Sequence, residues 1–460
     1  MNLLLHTFSN IAILELCRST DLLLDNSENE VVDIMTLPQK MRAIREALRL
    51  SRLALATEMD YSETTIYSYE NGIHRVTDKL LHRFKGVTGT QYIPLTDDEV
   101  TAFKKKLYVH LTSINLSDNE KISKFLQESV RCSQWCFDTD LCNLCDLFRV
   151  KYHSANGNKE ECKKILSELS KRESEFSDEH FYWYYHCLGI LEHSLWRYKS
   201  ALSLYIKAEA CGNRLSLDLS CNNRNLFYNI AYCLGLMDYS YLSIEYLEKL
   251  KKEEVELISV SAGVFTKRLL AVNLSKLGRT ERALKILNNC LDYVMKEIKD
   301  NELAVYTVYL DIGKVYQNAG NFDKALWNFD KASQYCDTNS EAFQTYMCYK
   351  ATLLRTYNKN DMVTDCLDKS LPLLTKGTIW YEWLMAIKHS MELDNDASLK
   401  YMEYTAIPNL MGYGRHLVVV ECFKWLSSYC EKNIKYKLAL EYSRKATKIY
   451  EQLMEGDLSL

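Results

Sequence analysis

The sequence has few residues that interrupt helices. It contains only 4 Pro and 15 Gly in 460 residues, well below the usual shares of about 5% and 7%. Both residue types mark turns, loops and the ends of helices. Their scarcity, together with a hydrophobic share of 47%, predicts an almost wholly α-helical protein. The chain is also long enough for two or more domains.

The chain lacks a general excess of positive charge. Its net charge of −4 argues against a protein that coats nucleic acids through an overall basic surface. The charge is unevenly distributed, however. Residues 37–86 carry nine Lys and Arg against six Asp and Glu, a net of +3, whereas residues 1–36 carry one Arg against six acids, a net of −5. Only the segment 37–86 has the sign expected for phosphate binding.

A secretion signal and a membrane-spanning run are missing as well. The first residues are apolar, but no basic region precedes them and Glu15 interrupts them. Without such a signal, the 16 cysteines predict a reducing, cytoplasmic environment in which most thiols are small buried groups. We interpret residues 1–36 as an uncertain N-terminal extension. It is either a helix that binds a partner or an over-extended translation start, with Met35 as a possible true start.

Motifs for catalysis or metal binding are also absent. The sequence has no HExxH or GxSxG pattern, and the stretch Gly412-Tyr413-Gly414 lacks the GK[ST] that completes a phosphate-binding loop. Four cysteines prompt a zinc hypothesis, but their spacing is not that of paired CxxC ligands. They are Cys132, Cys136, Cys142 and Cys145. We therefore expect no enzymatic activity, no metal and no cofactor.

A pair of capped helices forms the most informative local pattern. Ser51 is a natural N-cap for a short helix, and Ala56 is small where a second helix would have to cross it closely. Ser62 caps a second helix over about 63–70, and Asn71-Gly72 supplies residues that tolerate a left-handed C-terminal turn. The pattern predicts a helix-turn-helix, which places one helix in the major groove of DNA. An ordinary helical hairpin is the alternative.

The same stretch resembles, without a gap over 37–89, the phage-repressor (Cro/C1, or XRE) class of helix-turn-helix domains. The residues that carry this resemblance are Arg45, Leu55-Ala56, Ser62, Thr65-Ile66 and Glu70-Asn71-Gly72. The resemblance implies a structural ion pair between Arg45 and Glu70, which ties the first helix of the domain to the end of the recognition helix. The sequence departs from the class at two positions: Asp60 replaces the usual Gly of the turn, and Arg52 replaces a frequent Gln. Because Asp tolerates left-handed geometry, we expect the turn to survive.

The exposed face of the second helix supplies the predicted contacts to DNA bases. Hydroxyl groups can donate to or accept from base edges, and a carboxylate can accept from a cytosine amino group. The predicted base contacts are Ser62, Glu63, Thr64, Tyr67 and Ser68. The predicted phosphate contacts are Arg52, Arg75 and Lys79. For each of these side chains, a simple solvent-facing position is the alternative.

A repeated pattern fills the C-terminal part of the chain. Its clearest copy has the tetratricopeptide signature: Tyr309, Ile312-Gly313, Tyr316, Gly320-Asn321-Phe322, Ala325, Phe329 and Ala332. Small residues at the equivalent positions 189, 231, 271 and 313 are 42, 40 and 42 residues apart, longer than the usual period of about 34. Stacked units of this kind bury a continuous core and predict a right-handed superhelix with a concave wall. We predict this domain over 142–460, after a helical connector over 90–141; a helical bundle without superhelical order is the alternative.

The combination of the two parts resembles the RRNPP family of bacterial peptide-pheromone receptors. This resemblance implies that the repeat domain binds a short signalling peptide and mediates homodimerisation, and that the peptide changes how the paired DNA-binding domains sit on double-stranded operator DNA. An extended peptide presents unpaired backbone groups, which amide side chains can clamp with a donor and an acceptor; the family similarly uses Asn residues on inner helices. The predicted peptide contacts are Asn225, Tyr228, Asn229, Arg268, Lys314, Gln317, Asn318 and Arg355.

We therefore expect a peptide-responsive transcription regulator of the quorum-sensing type. Two other functions fit the same residues. One is a tetratricopeptide scaffold that grips a protein partner, such as a response regulator. The other is a phage-type repressor that has no peptide ligand.

Overall fold

The computed structural model describes residues 36–89, 97–112, 120–135, 139–215, 220–253, 260–297, 301–338 and 340–458. Residues 1–35, which include almost all of the predicted N-terminal extension, lie outside these ranges. Within the described ranges every regular element is a helix, so the all-α prediction is confirmed. None of the described helices is both long enough and apolar enough to cross a membrane.

The helices have lengths typical of repeat proteins, and an irregular turn joins two of them. A π turn at Met402–Ala406 joins α20 to α21. It comes just before Pro408, whose nitrogen cannot donate the hydrogen bond that would continue a regular α-helix. The described α-helices, in chain order, are α1 Leu37–Ala47, α2 Arg52–Met59, α3 Glu63–Glu70, α4 Asp78–Thr88, α5 Asp97–Thr112, α6 Glu120–Trp135, α7 Thr139–Ala155, α8 Lys159–Ser170, α9 Asp178–Ser194, α10 Tyr198–Gly212, α11 Ser220–Leu236, α12 Ser240–Glu253, α13 Val260–Lys276, α14 Thr280–Glu297, α15 Glu302–Asn318, α16 Phe322–Ser333, α17 Glu341–Thr356, α18 Asn360–Ser370, α19 Ile379–Ser390, α20 Asp396–Tyr401, α21 Ile407–Gly412, α22 His416–Lys432 and α23 Tyr436–Glu455.

The chain divides into two compact units, and the boundary falls between Tyr184 and Tyr185 within α9. The predicted start of the repeat domain, at residue 142, lies inside α7. Helices α5 and α6, which the sequence marks as a connector, both pack on α7. Aromatic rings join the three helices: Phe125 lies 5.2 Å from Phe103 and 5.2 Å from Phe148, between ring centroids. The predicted connector and the first repeat hairpin therefore belong to the same compact unit.

Within the first unit, helices α1 to α4 enclose a small core of their own. Each helix contributes side chains that are no more than 1% exposed. These include Met41 from α1, Leu55 and Met59 from α2, Ile66 from α3 and Phe84 from α4. The pair α2–α3 is therefore held in place by the packing of α1 and α4.

The second unit is built from consecutive helical hairpins. Its helices approach one another closely where the repeat has a small residue. A Cβ atom added at Gly313 would lie 2.4 Å from the Phe329 ring, and one added at Gly189 would lie 2.4 Å from the Tyr205 ring. Gly313 and Phe329 belong to the repeat signature read from the sequence, and the predicted superhelix of helical repeats is confirmed. The closely packed pairs include α11 with α12, α13 with α14, α15 with α16, α17 with α18 and α22 with α23.

A residue with left-handed backbone geometry precedes the second helix of most hairpins. Between α13 and α14 it is Gly278, with φ 75°, and between α15 and α16 it is Gly320, with φ 72°. Left-handed geometry costs a residue with a side chain roughly 1–2 kcal/mol. Several hairpins have a residue other than Gly at this position, and the packing of their helices must offset the cost. The residues concerned are Trp196, Asp238, Asn358 and Ile434.

The last helices of the second unit contact a turn near its start. His416 Nδ1 lies 2.8 Å from the carbonyl oxygen of Met237, and the backbone N–H of Leu417 donates to Asp238 Oδ2 at 2.9 Å. Gly414 permits this approach, because a Cβ atom there would lie 2.7 Å from the Met237 side chain. The repeat array therefore closes on itself around its inner wall.

Candidate functional site

The start of the recognition helix α3 is set by local hydrogen bonds. The Ser62 hydroxyl accepts from the N–H of Thr65 at 3.1 Å, and Ser51 caps α2 in the same way by accepting from Ala54 at 3.0 Å. Both caps agree with the sequence analysis. Asp60, between the two helices, has φ 59° and ψ 47°. The turn therefore keeps its left-handed geometry although Asp replaces the usual Gly.

A buried carboxylate joins α3 to α1 and α2. Arg45 Nε lies 2.5 Å from Glu70 Oε1, and Arg52 Nε lies 2.8 Å from Glu70 Oε2. Arg45 also donates from Nη1 to the carbonyl oxygen of Leu50 at 2.9 Å. The hydrogen bond to Glu70 raises the pKa of Arg45 above its ordinary value. This ion pair fixes the end of the recognition helix relative to the rest of the domain.

The outer face of α3 is open to solvent. Glu63, Thr64 and Tyr67 are exposed, as a helix that enters a groove requires. Ser68 Oγ donates to the carbonyl oxygen of Thr64 at 2.9 Å, which leaves its oxygen as an acceptor for a base. Ser62 is occupied with its capping role, so it is the member of the predicted set least available to a base.

The three predicted phosphate contacts are not equivalent. Arg75 and Lys79 are exposed. The Nε of Arg52 is bonded to Glu70, and its guanidinium carbon lies 5.3 Å from the centre of the Tyr67 ring. Arg52 therefore has a structural role within the domain. Only the exposed part of its guanidinium group can reach a phosphate.

The second unit contains a cavity of about 540 Å³. The helices that surround it range from α10 to α23. Five of the eight predicted peptide contacts line it. They are Tyr228, Arg268, Lys314, Gln317 and Asn318.

The other three predicted peptide contacts are not in the cavity wall. Asn225 and Asn229 are 4% and 3% exposed, and Asn229 Nδ2 lies 3.2 Å from His186 Nε2. Arg355 donates from Nε to Ser390 Oγ at 2.8 Å and from Nη2 to the carbonyl oxygen of the same residue at 2.8 Å. Asn229 and Arg355 thus join neighbouring hairpins. The periodicity of a helix indicates which residues share a face, but it does not show which residues on that face are covered by the next repeat.

The predicted cations of the cavity wall are bonded to an acid. Arg268 Nη2 lies 2.8 Å from Asp311 Oδ2, and Lys314 Nζ lies 3.2 Å from Asp311 Oδ1. Burial lowers the pKa of Lys314, but the neighbouring Tyr349 and Asp311 together raise it above its ordinary value. Lys314 therefore keeps its charge beside the cavity.

Aromatic side chains that the sequence analysis missed form much of the remaining wall. Tyr232 follows Tyr228 by one helical turn, and their rings stack with centroids 5.9 Å apart, so helical spacing could have found it. Apart from the neighbours Trp196 and Tyr198, the others come from helices far apart in the sequence, where no local signal groups them. The missed aromatic residues include Trp196, Tyr198, Tyr232, Tyr306, Tyr349 and Trp383.

Metal binding has no support in the described residues, where no group of His, Cys, Asp and Glu could hold an ion. Cys142 and Cys145 are buried in α7. The side chains of Cys132 and Cys136, the other half of the zinc hypothesis, lie outside the described part.

Comparison with known proteins agrees with both units. Residues 41–84 match the helix-turn-helix family HTH_3. NprR in complex with its cognate peptide NprX has a TM-score of 0.64 at 16% identity, over 76% of this chain and 99% of that chain. The Rap protein complexed with competence and sporulation factor has a TM-score of 0.61 at 15% identity, over 78% and 99%. The apo form of the quorum sensor NprR from B. thuringiensis has a TM-score of 0.56 at 17% identity, over 77% and 99%.

These comparisons bear on the fold. No curated protein matches the sequence. At the identities found, the likeness to NprR and Rap shows a shared fold of helical repeats. The helix-turn-helix prediction and the resemblance read from the sequence are therefore confirmed at the level of domain type and fold.

Proposed function

We propose that this chain is a peptide-responsive transcription regulator of the quorum-sensing type, with no catalytic activity of its own. In this proposal, α3 reads operator DNA and the cavity of the second unit binds a short signalling peptide. One observation carries the proposal: a single chain combines a helix-turn-helix domain with a closed array of helical repeats around a cavity of about 540 Å³.

Charge and exposure support the DNA-binding part. Residues 37–86 have a net charge of +3 in a chain whose overall charge is −4. Exposed cations such as Arg75 and Lys79 provide contacts to phosphates, which give affinity without sequence preference. Thr64 and Tyr67 on the outer face of α3 provide groups that can reach base edges, which give sequence preference.

Size and chemistry support the peptide-binding part. A cavity of about 540 Å³ lies within the range of roughly 300–1,000 Å³ that ligand sites occupy. Gln317 and Asn318 line it together with several aromatic residues, and Asn318 Nδ2 donates to Ser275 Oγ at 2.9 Å. Amides can pair with peptide backbone groups, and aromatic rings can bury apolar side chains. One of the structures with a similar fold is that of NprR with its cognate peptide.

An exposed apolar face on the last helix supports homodimerisation. Tyr436, Leu440 and Met454 in α23 are 65%, 52% and 67% exposed. At roughly 100° per residue, these three side chains fall on one side of the helix. A dimer would let two recognition helices read half-sites about 34–36 Å apart. We expect the protein to sediment as a dimer and the variant Leu440→Asp to sediment as a monomer; a monomeric parent protein would contradict this part.

The closure of the repeat array provides a means by which a bound peptide could change DNA binding. The contacts of Met237 and Asp238 with His416 and Leu417 hold the array closed. A ligand shifts a conformational equilibrium only by the difference in its affinity for the two states. We propose that the peptide favours one arrangement of the array and thereby one geometry of the paired DNA-binding domains.

Two binding measurements on the full chain test the proposal. The first is calorimetry with synthetic peptides encoded by short secreted reading frames beside the gene. The second is a gel shift with the promoter fragments of the same region. We expect one peptide and one fragment to bind. A chain that binds every fragment equally, or that binds no peptide from the region at saturating concentration, would contradict the proposal.

A further inference from the structure

Among the described residues, Arg415 is the one cation of the cavity wall that forms no ion pair. It lies immediately before α22, and its Nε is buried without a hydrogen-bond partner. Its side chain lines the cavity. The other cations of the wall are paired: Arg268 and Lys314 with Asp311, Lys276 with Asp238, and Lys424 with Glu421.

Aromatic rings hold the guanidinium group of Arg415 in place. Its central carbon lies 5.7 Å from the centre of the Tyr198 ring and 5.6 Å from the centre of the Trp383 ring. Contacts of this kind stabilise a cation, but they offer no acceptor to the N–H groups of the fork. A buried donor that lacks an acceptor is costly. An anion with hydrogen-bond acceptors in the adjacent cavity would supply both the acceptors and the opposite charge that this guanidinium group lacks.

The charges of the wall indicate an anion with a single charge. The wall contains five Lys and Arg residues and four Asp and Glu residues. The excess is one positive charge, and Arg415 is the cation that remains unpaired. A carboxylate matches both this charge and the planar fork of a guanidinium group, to which it can bind through two parallel hydrogen bonds.

We propose that Arg415 is the receptor for a carboxylate of the bound peptide. The carboxylate is either the C-terminus of the peptide or the side chain of an Asp or Glu residue within it. This inference rests on the proposed function, because it names the chemistry of the ligand in the same cavity. It also differs from the sequence analysis, which predicted a peptide contact at Arg355, a residue that the structure places outside the cavity wall.

The test uses the full chain and two matched pools of synthetic heptapeptides. In each pool one position is fixed and the others are randomised; one pool ends in a free acid and the other in an amide. Peptides captured by the immobilised protein are identified by mass spectrometry. We expect peptides with the required carboxylate to bind roughly tenfold to a hundredfold more tightly than neutral ones, as hydrogen bonds to charged groups usually contribute.

The variant Arg415→Met should lose this preference, whereas Arg415→Lys should keep part of it because the charge remains. Arg282→Met is the matched control, since Arg282 is an exposed residue of α14 outside the cavity wall. It should capture the same peptides as the parent protein. Should Arg415→Met fail to fold, as judged by circular dichroism, the comparison of the acid and amide pools on the parent protein decides the question.

The pools separate the possible outcomes. A preference for the acid pool without any fixed acidic residue supports a C-terminal carboxylate. Capture of amides that contain Asp or Glu at one position supports a side-chain carboxylate. Equal capture of neutral amides overturns the role of Arg415 and leaves the proposed function standing. Capture of no peptide from either pool overturns the proposed function and this inference with it.

Discussion

Each unit of the molecule contains a carboxylate, no more than 7% exposed, that binds two cations, and the two sites differ in what lies beside them. In the first unit, Glu70 binds Arg45 and Arg52, and its side chain is 1% exposed. The surroundings are the helices of the DNA-binding domain, and of the three side chains only that of Arg52 is partly exposed, at 30%. The Glu70 site therefore stabilises the packing of α3 against α1 and α2.

In the second unit, Asp311 binds Arg268 and Lys314. All three side chains line the cavity, and that of Asp311 is 7% exposed. A ligand in the cavity can therefore compete for the two cations or bind beside them. We expect the same three-charge arrangement to stabilise the fold where its surroundings are closed and to contact a ligand where they are open. Substitutions at the two sites should separate these effects.

The largest effect is expected from Glu70→Gln. This change leaves Arg45, a residue that is 6% exposed, with the half-exposed Glu46, 3.3 Å from its Nη2, as its remaining carboxylate partner. Removal of one partner of a buried ion pair usually costs about 3–5 kcal/mol, so we expect the DNA-binding domain to unfold at a lower temperature and the chain to lose promoter binding. Hydrogen exchange resolves the two units and measures the effect. Glu46→Gln is the control, since Glu46 also contacts Arg45 but is half exposed, so that its loss should cost much less. Equal losses of protection in both variants would contradict a special role of the buried Glu70.

A smaller and different effect is expected from Asp311→Asn. The neutral side chain keeps its shape but no longer balances Arg268 and Lys314, and we expect a loss of about 1–3 kcal/mol in the free energy of unfolding of the second unit. Peptide capture should change, while promoter binding in the absence of peptide should not. Asp330→Asn is the control, because Asp330 binds Lys350 at 2.7 Å outside the cavity wall. If both variants alter capture to the same extent, the role of Asp311 at the cavity is wrong.

On the DNA-binding surface, Thr64→Ala and Lys79→Ala should differ in kind. Loss of a base contact by Thr64→Ala should weaken binding to the preferred promoter by about 1–3 kcal/mol and leave binding to unrelated DNA unchanged. Loss of a phosphate contact by Lys79→Ala should weaken binding to all sequences and reduce the salt slope by about one. Fluorescence anisotropy at several salt concentrations measures both. Lys369→Ala, an exposed lysine of α18, should change neither, and a uniform loss for Thr64→Ala would remove it from the base contacts.

The smallest effect is expected in the turns of the repeat array. Ile434 has φ 59° and is 74% exposed, so it bears the cost of left-handed geometry without much burial in return. Ile434→Gly should therefore stabilise the second unit by about 1 kcal/mol. The reverse change, Gly320→Ala, should destabilise it by a similar amount. There is space for a Cβ atom at Gly320, but its left-handed backbone geometry is unfavourable for any residue with a side chain. Chemical denaturation measures both, and stabilisation by Gly320→Ala would contradict the argument.

The DNA-binding domain could be predicted from the sequence because its determinants are local. Ser51, Asp60 and Ser62 set the caps and the turn within a dozen residues, and short-range hydrogen bonds fix them. The repeat array was predictable for the same reason, since Gly313 and Phe329 belong to one hairpin. The ion pair between Arg45 and Glu70 joins residues that are distant in the sequence. It was predicted from the resemblance to a known class of domain.

The cavity could be predicted only in part. Its position depends on the closure of the array, which brings Arg415 next to Tyr198 although many helices separate them in the sequence. Helical periodicity shows neither this closure nor which polar side chains are covered by a neighbouring hairpin. For that reason Asn225 and Asn229 were predicted to contact the peptide, and the structure buries them between helices instead.

The central claim is that one chain couples a peptide in the repeat array to DNA at the helix-turn-helix. The most direct measurement is the affinity of the full chain for its promoter fragment, by fluorescence anisotropy, with and without a saturating peptide. Coupling between distinct sites usually changes affinity by roughly 5- to 150-fold, and we expect a change in that range, abolished by Arg415→Met but kept by Arg282→Met. Identical binding curves with and without a peptide that calorimetry shows to be bound would contradict the account.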